Sequence, residues 1–332
     1  MKIKRYVLIE DIYSAFSHMR RRDSIKMSLG FKKISDEYGQ TVKKILSKSL
    51  GKNFKVELYS TSEIDRIVTG AVTAALDQHK EAMCVCVDRS LLFELEFAPK
   101  YKSRFFRFQI CRTNNDVRVP RHNAPSFAKQ IKILKKQIQK NGTKEIIIVD
   151  TGIFSGRTIQ ILLDILERNK LSATTTHIIT YLSRTKLKRK FNGIKATVLM
   201  KHKEIFEWVD LLDFTPLGGK ILNKTHKNSV AEAVPYLFPW SNDEGASLHL
   251  QPRFLSTSKK LIEAFMSVVE YHDRHSKSGP IIIAHLLNGG FTAPNNKSRS
   301  IKYKKTTHLS KYLKTIITTS FSEPEVLQTH RI

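Results

Sequence analysis

The chain has 332 residues, and its 41% hydrophobic content excludes a wholly disordered protein and suffices for one large domain or two ordinary ones. Its 57 Lys and Arg residues outnumber 30 Asp and Glu residues, and the formal net charge of +27 favours a polyanionic partner. The three cysteines and twelve histidines show no zinc spacing, and no apolar run of about 18 residues occurs. We therefore expect a cytoplasmic protein with no membrane partner and no metal bound by its own residues alone.

The basic residues are spread along the chain, with concentrations at Arg20–Arg22, Lys132–Lys140, Lys186–Lys190 and Lys297–Lys314. One small anionic ligand cannot account for a surplus distributed in this way. Nucleic acid, either RNA or DNA, can account for it, because each neutralised phosphate releases counterions and contributes to binding. The alternative is a lysine-rich composition, as an A+T-rich genome produces, with basic helices that are simply solvated.

The pattern along the chain predicts four regions: a strand and helical region over residues 1–60, a core over 61–222, a hood or partner-binding region over 223–296 and a basic tail over 297–332. Within the core, apolar strands alternate with amphipathic helices, an order that argues for a parallel sheet with right-handed crossovers. We therefore predict an α/β fold in which a parallel sheet is flanked by helices, with additional N- and C-terminal elements.

The individual elements follow from hydrophobic periodicity and from capping and turn residues. The predicted strands are Ile3–Ile9, Ala82–Val87, Phe105–Ile110, Ile146–Val149, Thr175–Leu182, Ala196–Met200 and Ile281–Ala284. Helical patterning extends from the first strand through Leu50, and the later predicted helices are Ile64–Gln78, a helix from the Ser126 cap to about Lys140, Ile159–Leu166, Lys186–Phe191 and Ser256–Tyr271.

One segment, residues 145–158, indicates more about function than any other. Four β-branched residues, Ile146–Val149, predict a strand buried on both faces, and Asp150 stands where we expect that strand to end. The loop after it leads into a helix, whose free N–H groups and dipole favour an anion, and Ser155 and Thr158 can add hydroxyl donors. The loop is neither a Walker A loop nor Gly-x-Gly-x-x-Gly, because no Gly-Lys-Ser/Thr follows and only two glycines are present.

This segment resembles the phosphoribosyl-diphosphate loop of type I phosphoribosyltransferases, in which a hydrophobic strand, one or two acids and a short apolar stretch precede Thr/Ser-Gly-x-Thr. The resemblance covers roughly residues 62–220, and only the 145–158 segment is specific. It implies a phosphoribosyltransferase-like sheet, a ligand that is phosphoribosyl diphosphate or a nucleotide, and Mg²⁺ bound with the diphosphate. By resemblance, Asp150 would hold the ribose hydroxyls, and the phosphate cradle would consist of Phe154, Ser155, Gly156, Arg157 and Thr158.

Further contacts follow from the same resemblance. The loop that approaches the diphosphate would be Asp88, Arg89 and Ser90, and the hairpin that closes over the reacting centre would offer Arg104, Arg107 and Arg112. The aromatic residue that packs against the base would be Trp208 or Phe214. The alternatives are that Arg89 is an exposed residue on a turn, that the three hairpin arginines only pack within the hairpin, and that the two aromatic residues only pack in the core.

One departure from the family pattern concerns the chemistry. Most members have two consecutive acids, and the second is often placed to handle a proton on the incoming base, whereas this chain has Thr151 at that catalytic position. A hydroxyl cannot act as a general base near neutral pH without help. The sequence therefore leaves open whether the protein is an enzyme, which would be a glycosyltransferase or a nucleotide N-glycosidase.

A second hypothesis keeps the fold and changes the role. Divergent, basic members of this family also occur as effectors of bacterial anti-phage systems, including those that contain a reverse transcriptase and its nucleic-acid product. The resemblance then implies a protein that acts within a nucleic-acid-containing complex in antiviral defence. The sequence does not decide between RNA and DNA or between a monomer and a homo-oligomer.

Overall fold

A computed structural model describes residues 3–12, 15–16, 29–88, 90–112, 118–121, 124–183, 191, 193–200, 205–215, 218, 220–221, 232–234, 254–276, 279–288, 293–294, 304 and 306–320. Several features predicted above lie outside the described residues: Arg20–Arg22, Arg89, Lys186–Lys190, most of 223–253 and the start of the basic tail.

The strands are β1 Lys4–Glu10, β2 Phe54–Ser60, β3 Ala82–Cys86, β4 Phe105–Arg107, β5 Ile110–Arg112, β6 Arg118–Pro120, β7 Glu145–Ile153, β8 Thr174–Ser183, β9 Lys195–Val198, β10 Ile205–Asp210, β11 Lys220–Ile221, β12 Glu232–Val234 and β13 Ala293–Pro294. The α-helices are α1 Leu29–Leu50, α2 Thr61–Gln78, α3 Phe93–Phe97, α4 Phe127–Asn141, α5 Arg157–Arg168, α6 Phe254–His275, α7 Ile283–Asn288 and α8 Leu309–Ser320. Within these described segments, no helix combines the length and the apolar character that a membrane span requires.

The chain divides into two compact units. The first consists of Met1–Ser14 together with Asn53–Trp208, and the second consists of Ala15–Lys52 together with Val209–Ile332. Strands β1 and β2, which the sequence places in a separate N-terminal region, therefore belong to the same unit as the predicted core.

A five-stranded parallel sheet in the order β4-β3-β7-β8-β9 forms the larger sheet of the first unit. The side chains of its central strands alternate between two apolar clusters, so that Ile147 and Val149 face helix α2 while Ile146 and Ile148 face α4 and α5. Helices thus cover both faces, which explains why the strands consist of nearly continuous apolar residues. The predicted α/β fold with a parallel sheet flanked by helices is confirmed.

A smaller sheet has the order β10-β1-β2, and a two-stranded sheet is formed by β5 and β6. Strands β1 and β2 are parallel, with a register that runs from Lys4 opposite Phe54 to Glu10 opposite Ser60. Strand β1 lies in the middle, and its apolar residues from Tyr6 to Ile9 are buried. Strand β2 was not predicted, because the charged residues within it weaken the apolar signal on which the strand predictions depend.

The second unit contains helices α1, α6 and α8. The strand predicted at Ile281–Ala284 is wrong: Ile282 forms one isolated bridge with His308, and helix α7 begins at Ile283. A four-residue apolar run cannot be distinguished from a helix segment by periodicity alone. Within the predicted basic tail, helix α8 buries Leu309 and Leu313, so this part of the tail is packed rather than simply solvated.

Candidate functional site at the carboxyl edge of the larger sheet

Strand β7 extends three residues beyond the predicted end at Asp150. It continues to pair with β8 as far as Ile153, which lies opposite Ser183, because β8 is long enough to supply partners. The prediction that the loop begins at Asp150 is therefore wrong. Asp150 and Thr151 are strand residues, and the loop between β7 and α5 is reduced to Phe154, Ser155 and Gly156.

The short loop opens helix α5 in the manner predicted for an anion site. Gly156 precedes the helix with a φ of 73°, in the left-handed region that glycine adopts without strain. The first turn of α5 contains no acidic residue, so its dipole and free N–H groups favour an anion. Arg118 on strand β6 donates from Nε to the Thr158 hydroxyl at 3.1 Å, which places a guanidinium group beside the same helical turn.

Asp88 follows β3 and contacts the neighbouring strand β7. Its carboxylate accepts a hydrogen bond from the Thr151 hydroxyl and further bonds from the Ser90 N–H and hydroxyl, at 2.6 and 2.7 Å. Burial acts to raise the pKa of Asp88, but these hydrogen bonds and the charge of Arg121 hold it below its ordinary value. Asp88 is therefore an ionised acceptor near neutral pH, and it binds the side chain at the position where the family has its second acid.

Asp150 is in the opposite protonation state. Burial is the largest cause, and together with the negative charge of Asp88 it raises the pKa of Asp150 to about 8, although the N–H groups of Thr151 and Gly152 and the charge of Arg121 act to lower it. Near neutral pH the site thus contains one protonated carboxyl group on β7 and one ionised carboxyl group just after β3. Two acids with separated pKa values are the arrangement on which acid–base chemistry depends.

Two arginines at this site, Arg118 and Arg121, were not predicted from the sequence. Arg121 donates from Nη2 to the Val87 carbonyl at 3.3 Å, directly before Asp88. Arg118 is the first residue of strand β6 and Arg121 follows its last residue, within or just after the hairpin that the resemblance assigns to closure. In the sequence, these two arginines are marked only by their positions on either side of Val119 and Pro120. That spacing does not distinguish them from the other arginines of the segment.

The arginines that were proposed for closure have structural contacts. Arg107 is 9% exposed, forms an ion pair with Glu96 at 2.9 Å and donates to the carbonyls of Asp88 and Leu91. Arg107, the last residue of strand β4, thereby holds the loop after β3 in place. Arg104 donates to the carbonyl of Leu76 in the last turn of α2 and to that of Lys80 just after the helix, so it caps the end of α2. These placements do not support closure roles for Arg104 and Arg107 in this conformation, and the Arg112 side chain lies outside the described residues.

Of the two aromatic residues proposed to contact a base, Trp208 lies at the loop. Its ring is 5.3 Å from the ring of Phe154, centroid to centroid, in an edge-to-face arrangement, and it also packs against the Cα of Gly152. Phe214 belongs to the second unit and is fully buried. The structure therefore brings Trp208 to the site, whereas the burial of Phe214 does not support a base contact.

We expect Gly152→Ala to disturb the site, because an added Cβ would lie only 2.6 Å from Cζ2 of Trp208. Displacement of the indole should lower the free energy of unfolding by about 1–3 kcal/mol and shift the tryptophan fluorescence. The matched control is Gly70→Ala on helix α2, where nothing lies within 4 Å of an added Cβ, and which should stabilise the protein by about 0.5–1 kcal/mol. The contact would be contradicted if Gly152→Ala had the same denaturation midpoint and the same tryptophan fluorescence as the wild type.

Comparison of the chain with protein-family models, with curated proteins and with solved structures finds no match.

Proposed function

We propose that the protein binds a 5-phosphoribosyl ligand, either phosphoribosyl diphosphate or a nucleotide, and that its larger sheet is a divergent phosphoribosyltransferase-like core. One observation supports this most strongly: the ends of two neighbouring parallel strands bring Asp88 and Asp150 together beside a short loop that opens a helix. Ligands of open α/β sheets bind at the carboxyl ends of the strands. The 5′-phosphate would lie at the N-terminus of α5, with Arg118 beside it, and Trp208 would pack against the base.

The proposed chemistry takes place at the anomeric carbon of the ribose. The bond from this carbon to the leaving group breaks, positive charge develops on the sugar, and a nitrogen of a base or a water molecule forms the new bond. Asp150, once ionised, would hold the ribose hydroxyls and stabilise the developing charge. Because the hydroxyl of Thr151 donates to Asp88, we assign to Asp88 the proton-accepting role that Thr151 cannot perform.

A magnesium ion fits this proposal only together with the ligand. The described residues contain no group of three or more His, Cys, Asp or Glu side chains that could hold a metal. Mg²⁺ is commonly bound by one or two carboxylates together with substrate phosphates, and Asp150, once ionised, would supply one such carboxylate. When bound, the ion would neutralise charge on a diphosphate leaving group.

Calorimetric titration with phosphoribosyl diphosphate and Mg²⁺ tests the proposal. We expect the wild type to bind and Asp150→Asn and Ser155→Ala to lose at least about tenfold in affinity, since each removes a charged or hydroxyl contact to the ligand. The matched control is Asp164→Asn on helix α5, where the side chain accepts from Gln160 at 2.9 Å; it should bind normally.

The pH dependence of the same titration gives a second readout. Because the ligand requires the ionised form of Asp150, affinity should rise with pH up to about 8 and then level off, with proton release on binding at neutral pH. No binding by the wild type would overturn the proposal, as would binding that Asp150→Asn leaves unchanged.

A further inference from the structure

We propose that helix α4 binds the sugar–phosphate backbone of double-stranded nucleic acid through Lys129, Lys132, Lys136 and Lys140, which we call the lysine row. This inference is independent of the phosphoribosyl site.

The lysine row occupies one face of α4. Its members are three or four residues apart, so they follow one another along the helix over about 16 Å. All four side chains are exposed. The buried residues of α4, which pack against the larger sheet, lie on the opposite face of the helix: Gln130, Ile131, Leu134 and Ile138.

The charge of the lysine row is not balanced within the described structure. Helix α4 contains no acidic residue, and no described carboxylate forms an ion pair with any member of the row. Other lysines of the chain do have partners: Lys100 pairs with Asp77 at 2.9 Å and Lys144 with Glu81 at 2.8 Å. The row is therefore a local concentration of uncompensated positive charge.

Helix stability does not explain this arrangement. Lysines four residues apart, such as Lys132 and Lys136 or Lys136 and Lys140, repel each other. Lys129 lies near the N-terminus of α4, where the helix dipole disfavours a positive charge. A polyanion that neutralises the row would remove these penalties, and the net charge of +27 makes the whole chain attractive to such a partner.

The residues around the row favour a duplex over a single strand. Proteins that bind single strands combine basic residues with aromatic side chains on which bases stack. The exposed face of α4 has no aromatic residue: beside the lysines it carries Ile133, which is 44% exposed, and Gln139. A duplex presents one negative charge per about 1.7 Å of its axis, so a row of this length can reach several phosphates without reading bases.

The test is fluorescence anisotropy of the full-length protein with a labelled short duplex, as DNA and as RNA, over a series of salt concentrations. Replacement of all four row residues by Gln should weaken binding by about tenfold or more and reduce the slope of log K against log salt by about 3 to 4, the value for four phosphate contacts. A variant with Arg at the four positions should retain binding, since it retains the charge.

The matched control removes the same charge from helix α1: Lys32, Lys33, Lys44 and Lys48, each replaced by Gln. All four are exposed. The control should bind the duplex within about twofold of the wild type, because it leaves the phosphate contacts of the row intact. An equal loss in both variants would show an effect of net charge alone and overturn the proposal.

Two further outcomes would also overturn the proposal: an unchanged salt slope in the row variant, or tighter binding of the single strand than of the duplex by the wild type. Circular dichroism shows whether the variants fold, and Gln is a good helix former at these exposed positions. Titration of the row variant with phosphoribosyl diphosphate separates this inference from the proposed function, because the two sites share no residue.

Discussion

Arg107→Ala should lower the free energy of unfolding by about 2–3 kcal/mol, because it breaks a partly buried ion pair, in which the Glu96 side chain is 25% exposed, and leaves two carbonyls without their donor. The guanidinium is 9% exposed, and Glu96, at 2.9 Å, would keep its charge without a partner. The carbonyls of Asp88 and Leu91 would also lose a donor. The loop that carries Asp88 should therefore loosen, and chemical denaturation followed by circular dichroism measures the loss.

Lys102→Ala provides the control for Arg107, since Lys102 is exposed on the neighbouring segment and its removal should change stability by less than about 0.5 kcal/mol. Arg107→Lys should recover only part of the loss, because an ammonium group cannot reproduce the planar set of contacts that the guanidinium makes with Glu96 and the two carbonyls. A loss below about 1 kcal/mol for Arg107→Ala would mean that the ion pair behaves as a solvated surface pair, and the loop would then be held by other contacts.

Asp150→Asn should make the protein more stable than the wild type at alkaline pH. In acid the two proteins should differ only by a constant amount, the pH-independent effect of replacing the carboxyl group by an amide. Asp150 has a pKa of about 8 in the folded protein, compared with about 3.9 in the unfolded chain. Below the lower value both states bind the proton. As pH rises from about 4 to about 8, the unfolded state releases its proton first, and the wild type loses stability.

The amide has no such proton, so the difference between variant and wild type should grow by at least about 2 kcal/mol across this range. Urea denaturation at several pH values measures it. Asp88→Asn should show the reverse, because the pKa of Asp88 is lowered in the folded state: it should be less stable than the wild type at neutral pH, with the difference shrinking as pH falls. A difference that does not depend on pH would show that Asp150 has an ordinary pKa.

Local sequence patterns were sufficient to predict the parallel sheet. The four β-branched residues of β7, the amphipathic pattern of α2 and the Ser126 and Gly142 caps of α4 each depend on neighbours within a few residues. Patterns of this kind report burial and capping directly. The same method missed β2 and mistook the start of α7 for a strand, because short runs do not carry enough periodicity.

The site was predictable only where it is contiguous in sequence. The segment Phe154–Thr158 can be proposed as an anion site from its own sequence, whereas the contact of Asp88 with Thr151 joins residues 63 positions apart. The pairing of Arg118 with Thr158 and the packing of Trp208 against Gly152 likewise depend on which strands become neighbours. No local pattern encodes these contacts, and the first of them, from Thr151 to Asp88, helps to keep Asp88 ionised.

The position of β1 between β10 and β2 has a consequence for how the protein forms. During synthesis, β1 can pair with β2 early, but its other edge has no partner until β10 emerges about 200 residues later, which corresponds to roughly 10–40 s at ribosomal speed. Throughout that interval an apolar strand edge is open to wrong pairing. Pairing over such a distance is also slow to nucleate. We therefore expect a nascent chain that depends on chaperones until its tenth strand is made.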